Sequence, residues 1–143
     1  YSEEIILKNN FKEFLDKFTP KFFNIILNPK YSNKISEIRI EGHTGIYSQD
    51  KEFENEYYRR MIVLSQKRSN KVLDYMMNLA IYDNLQIEQK DYLRFILSSN
   101  GLAFGKSLDQ NGAYRYYSKE AIDKEKSMRV EFKIVTNSET AIN

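Results

Sequence analysis

The sequence predicts an α+β domain, a two-layer sandwich with helices packed on a small mixed β-sheet. Three observations predict it. Long segments with apolar residues at helical spacing alternate with short segments of period two. The short segments are half polar rather than continuously apolar, as in a sheet covered on one face. And 143 residues are enough for one core but not for two comfortable ones.

The elements follow in order. Phe11, Phe14, Leu15, Phe18, Phe22, Ile25 and Ile26 recur at helical spacing against Lys12, Glu13, Asp16 and Lys17 on the other face, an amphipathic helix. Pro20 either kinks it or opens a second piece behind Thr19, and Asn28-Pro29 closes it. Ile38 and Ile40 on one side then alternate with Arg39 and Glu41 on the other, a short strand stopped by Gly42. Residues 46–60 read as a long polar loop with at most a helical turn over Glu54 to Arg60. A helix from about Ser65 to Tyr82 presents Leu64, Val72, Leu73, Met76, Leu79 and Ala80 on its apolar arc. A shorter helix covers Glu88 to Ile96, and Ser98-Ser99-Asn100-Gly101 is a turn or an irregular strand. The last strand turns Val130, Phe132 and Ile134 inward and Glu131 and Lys133 outward. Residues 1–136 thus read as one domain and 137–143 as a flexible tail.

Composition narrows the function classes. Twenty-two basic residues are nearly balanced by 20 acidic ones, giving a net charge of +2 and no electrostatic footprint for nucleic acid. Tyr57-Tyr58-Arg59-Arg60 and Tyr114-Arg115-Tyr116-Tyr117 mix bases with aromatics, but Glu52, Glu54, Glu56 and Glu120 stand beside them, so they read as solvated loops or a partner surface. No cysteine is present, which excludes disulfides and thiolate chemistry. His43 is the only histidine, so a histidine metal cluster or a catalytic triad lacks parts. Gly101 to Gly105 has no following Lys-Ser/Thr at phosphate-loop spacing and reads as a turn, and Glu3-Glu4 lies on an exposed start. No enzyme, metal or cofactor is expected. No apolar run approaches 18 residues. A chain that opens on Tyr1 inside structured sequence reads as a piece of a longer, membrane-anchored protein whose membrane segment lies outside it.

One side chain does not fit its helix. At about 100° per residue, Arg68 falls roughly 40° from Leu64, on the arc that holds Val72 and Met76. Its helical neighbours Leu64, Ser65, Lys71 and Val72 offer no carboxylate. A desolvated guanidinium needs an anion from elsewhere. Either Arg68 reaches the surface or a distant acid such as Asp50 or Glu41, or it clamps an anionic ligand, with Ser65 and Ser69 leaving open space near the helix start.

Gly42-His43-Thr44 after a strand, Leu64-Ser65-Gln66-Lys67-Arg68-Ser69 opening a helix, Phe104-Gly105-Lys106-Ser107, and Arg129-Val130-Glu131-Phe132 occur in that order. The order resembles the OmpA-like C-terminal domain of the OmpA/Pal/MotB type, over nearly the whole chain. That resemblance implies an OmpA-like sandwich that binds the peptide stem of peptidoglycan non-covalently and anchors a membrane or envelope complex, such as a MotB-like stator, to the cell wall from the periplasm. It implies that Arg68 takes the ligand carboxylate, aided by the start of its helix. Thr44, Gly45, Leu64, Ser65 and Ser69 would surround it. Three departures stand out: Gly45 replaces the family's aspartate, Met61 its usual asparagine, and the connection from Gly45 to Leu64 is long. The replacement acid would come from that connection, with Asp50 first and Glu52 or Glu54 next. The competing expectation is a scaffold with lost or altered wall binding that serves as a protein-interaction or homodimerisation domain.

Overall fold

The computed structural model describes residues 6–45 and 51–137. Asn9–Ile26 form helix α1, which runs unbroken through Pro20, and Pro29–Ser32 form α2 behind Asn28, whose side chain accepts the Lys30 amide at 2.9 Å. Strand β1 covers Ile35–His43. A 3₁₀ turn over Lys51–Phe53 leads into α3, Glu54–Met77. Helices α4 (Ala80–Asp83) and α5 (Ile87–Ile96), strand β2 (Leu97–Gly101), helices α6 (Arg115–Ser118) and α7 (Lys124–Ser127), and strand β3 (Arg129–Thr136) complete the order.

The sheet is three-stranded in the order β2-β1-β3. It is mixed. The Asn137 amide donates to the Lys34 carbonyl and the Ser36 hydroxyl to the Val135 carbonyl, so numbers fall on β3 as they rise on β1 and the pair is antiparallel. Between β1 and β2 the bonds from Leu102 N–H to Gly42 and from Thr44 N–H to Ala103 advance together, as in a parallel pair. The expected class, helices with a small mixed sheet, is the observed one.

The chain divides into two compact units. One holds Ile6–Ile40, Lys71–Ser98 and, of the described residues after them, 132–137. Its buried side chains include Leu15, Phe22, Phe23, Ile26, Ile38, Ile40, Val72, Met76, Leu93 and Ile96. Phe11, Phe14, Phe18 and Phe22 stack in succession along α1, and Phe132 meets both Phe18 and Phe22. The helical stripe is narrower than its sequence promises: Phe14 and Ile25 are exposed, and so is Ile134 on β3. Asn137, assigned to the tail, is tied to Asn33 and Lys34; the rest of the tail lies outside the described residues.

The other unit holds Glu41–Asn70 and Ser99–Glu131. Here α3 lies directly on two strands. A Cβ on Gly42 would stand 2.2 Å from the Ser65 carbonyl oxygen, and one on Gly101 would stand 2.4 Å from the Gln66 nitrogen. Only glycine permits so close an approach. Polar stitches fix the contact: the Gln66 amide donates to the Ser99 carbonyl at 2.9 Å, and the Ser99 hydroxyl to Ser69 Oγ at 2.8 Å. In the same unit Asp109 is buried, and its carboxylate receives the amides of Asn111 and Ala113 at 2.9 and 3.0 Å.

Those bonds set a pH dependence. A hydrogen bond from Ser118, then the backbone amides of Ala113 and Asn111, hold the Asp109 carboxyl below its usual range. A carboxyl whose pKa is lower folded than unfolded stabilises fully above the unfolded value, about 3.9. That contribution fades as pH falls through the lower folded value. Asp109→Asn is therefore expected to melt below the parent chain near neutral pH, with the gap closing below about pH 4. Melting curves across pH 2–7 check it; a gap that stays constant with pH would remove the carboxylate's charge from the account.

Candidate functional site

The residues singled out by sequence converge where β1 ends against the middle of α3. Ala103 holds them in register. Its amide donates to Ser65 Oγ at 3.0 Å, and its carbonyl accepts the Thr44 amide at 2.8 Å. Ala103 adopts φ 52°, the left-handed region that an alanine enters only when its surroundings fix it. Ser65 Oγ also donates to the Met61 carbonyl at 2.7 Å, so this buried hydroxyl is committed to structure. One turn on, Arg68 is half-buried and its Nη1 donates to the His43 carbonyl at 3.0 Å. The guanidinium thus stands beside the Thr44 turn. Thr44 is buried, and its Oγ1 has no hydrogen-bond partner among the described residues.

Several expectations need correcting. The helix that carries Arg68 begins at Glu54, not near Ser65, and ends at Met77, with Ala80–Asp83 a separate turn. Residue 65 is therefore in the helix interior, and no free amides or dipole end reach Arg68 from it. Ser65 and Ser69 leave no open space, because both are fully buried and hydrogen-bonded. Leu64 is half-buried and leans on the cluster of Met61, Ala103 and Phe104. Tyr57 and Tyr58 belong to α3 rather than to a loop and pack on Phe104, one stacked at 5.8 Å and one edge-on at 5.4 Å. Asp50 lies outside the described residues. Glu52, in the 3₁₀ turn, and Glu54, the first residue of α3, are exposed. At 1.5 Å per residue, Glu54 is about 20 Å along the helix axis from Arg68, too far to stand in for the missing aspartate. Gly45 is buried, and a Cβ there would meet the Lys124 carbonyl at 2.8 Å, Met128 Cγ at 3.1 Å and Ser127 Cβ at 3.2 Å.

The strand also holds what the alternation of Ile38 and Ile40 concealed. β1 continues through Gly42 to His43, and Glu41, on the face opposite Ile38 and Ile40, is buried as well. His43 Nε2 lies 3.7 Å from Glu41 Oε1, and Glu131 joins them from β3. Glu131 Oε1 receives Arg129 Nε at 2.5 Å, and the other guanidinium nitrogens of Arg129 donate to the carbonyls of Ser127 and Lys106. A Glu-x-His spacing on a strand, with both side chains on one face, is the signal that could have shown this.

Fold and site together define an α+β domain with a cationic arm, Arg68, at the end of its central strand. No family model matches the chain. Among curated proteins, the Zorya protein ZorB of Escherichia coli is 33% identical over 137 residues, 95% of this chain and 52% of that protein; the chain spans about half the length of the curated relative it matches. Among solved structures the chain is similar to the OmpA-like domain of FopA1 from Francisella tularensis subsp. tularensis SCHU S4. The likeness has 23% identity and a TM-score of 0.47, and it covers 85% of this chain and 64% of that one. No helix among the described residues is long and apolar enough to cross a membrane.

Proposed function

We propose that the chain is a non-catalytic peptidoglycan-binding domain that anchors a membrane or envelope complex to the cell wall, with Arg68 as the receiver of a stem-peptide carboxylate. The observation that carries the reading is the half-buried guanidinium held at the Thr44 turn by its bond to the His43 carbonyl. A guanidinium carries five N–H donors in a planar fork, and a fork of this kind matches a carboxylate bidentately. Buried Thr44 offers its hydroxyl beside it. The four motifs shared with OmpA-like domains support the same reading. In it, the domain faces the periplasm, and a segment outside this chain supplies the membrane anchor, as in a MotB-like stator.

Gly45 favours a second reading, an OmpA-like scaffold with altered wall binding that pairs with a protein or with itself. Where the family grips a ligand ammonium with aspartate, this chain packs bare backbone against the Lys124 carbonyl.

Co-sedimentation with purified sacculi decides between them. Hydrogen bonds to a charged group are worth roughly 1.5–3 kcal/mol, so Arg68→Ala is expected to weaken sedimentation about 10- to 150-fold. Arg68→Lys, which keeps the charge but loses the fork, should fall between. Equal sedimentation of all three proteins would remove Arg68 from the site, and no sedimentation of the parent chain would leave the second reading.

A further inference from the structure

Alternate residues of a strand share a face, so β1 places Glu41 and His43 side by side. The antiparallel neighbour β3 brings Glu131 opposite them. Glu41 and His43 are 4% and 1% exposed, whereas the Glu131 side chain is 41% exposed and opens the cluster to solvent on one flank. One imidazole nitrogen and one oxygen from each carboxylate all lie within 4.8 Å of one another. The 3.7 Å between His43 Nε2 and Glu41 Oε1 is too long for a hydrogen bond. It is close to the spacing of about 3.4 Å that separates two donors, each about 2.1 Å from a tetrahedral ion.

Arg129 stands beside the cluster, anchored by the Ser127 and Lys106 carbonyls, and holds Glu131 through Oε1. A hydrogen bond from an outer group to a ligating carboxylate is the usual means of aiming it at an ion.

We infer that Glu41, His43 and Glu131 bind a first-row divalent cation. Zinc is the best match to one imidazole and two carboxylates in an open three-ligand set. Magnesium, which favours octahedral oxygen and keeps its waters, is a poor one. An ion held there would brace the residue whose carbonyl receives Arg68. The inference concerns ion uptake by the chain alone and does not depend on wall binding.

Because His43 is the only histidine, its ring resonances are an unambiguous reporter in an untagged chain. Titration with zinc chloride at constant pH is expected to shift them in step with the first equivalent. Equilibrium dialysis should retain one zinc per chain, and Glu131→Gln should weaken retention tenfold or more. Magnesium chloride at the same concentrations should leave the ring signals unchanged. Ring signals that follow pH but ignore zinc would reduce the cluster to a buried ion pair and overturn the inference. Zinc retained equally by Glu131→Gln, or an equal response to magnesium, would overturn it too. Should Glu131→Gln not fold, the titration of the parent chain decides alone.

Discussion

Replacing Gly42 with alanine is expected to lower the melting temperature by on the order of 10 °C. The new Cβ would stand 2.2 Å from the Ser65 carbonyl oxygen, well inside contact distance. That oxygen belongs to the interior of α3 and cannot swing aside as a side-chain tip would. Nor can β1 retreat, since the Gly42 carbonyl accepts the Leu102 amide at 3.0 Å. Overpacking typically costs 1–3 kcal/mol; with backbone on both sides of the clash the upper end applies, and each kcal/mol is worth roughly 3–4 °C at this size. Gly101→Ala should behave alike, because its Cβ would meet the Gln66 nitrogen at 2.4 Å and the Ile62 carbonyl at 2.6 Å. Gly105→Ala is the control: its nearest neighbour is 3.9 Å away, and it should stay within about 0.5 kcal/mol of the parent. A thermal melt of all three variants checks the set. A mild Gly42→Ala would mean that α3 rides higher on the strand than these distances allow, and the seat of Arg68 would move with it.

The two glycines show what the sequence could and could not convey. Gly42 read as the end of a strand and Gly101 as part of a turn or irregular strand, yet they lie within β1 and at the end of β2 as the places where a helix touches backbone. The alternation of Ile38 and Ile40 with Arg39 and Glu41 gave the correct phase of β1. Phase says which residues share a face, not whether that face is covered, so the burial of Glu41 was not legible in it. Its companion Glu131 comes from a strand far along the chain, and no local pattern joins them. Arg68 was legible because a helix has a fixed turn angle and a cation on the apolar arc is conspicuous. The start of its helix was not. Residues 54–60 carry no apolar stripe and are held helical by good formers such as Glu and Arg together with the packing of Tyr57 and Tyr58 on Phe104, a tertiary contact. The missing aspartate was visible as Gly45. Why glycine stands there was not, since the reason is the Lys124 carbonyl.

That carbonyl sets the second large effect. Gly45→Asp, which rewrites the turn as Gly-His-Thr-Asp, is expected to destabilise the chain by about 2 kcal/mol or more and to leave sedimentation with sacculi no stronger. The Cβ alone would come within 2.8 Å of the Lys124 oxygen and 3.1 and 3.2 Å of Met128 Cγ and Ser127 Cβ. The carboxylate would add a negative charge beside the negative end of a carbonyl dipole, in a place where Gly45 is buried. Gly45→Ala separates the two costs, since it has the steric part without the charge. The covering segment is firmly placed: Asp123 caps α7 by accepting the Lys126 amide at 3.0 Å, and the Leu108 amide donates to Ser127 Oγ at 2.8 Å. If Gly45→Asp instead tightens sedimentation while melting only slightly lower, the 124–128 turn must yield to the new side chain. The chain would then have kept the whole architecture of a two-armed grip and lost only one carboxylate from it. If it melts far lower and binds no better, the turn over Gly45 is part of the fold, and the proposed grip would rest on Arg68 without an acid at that position.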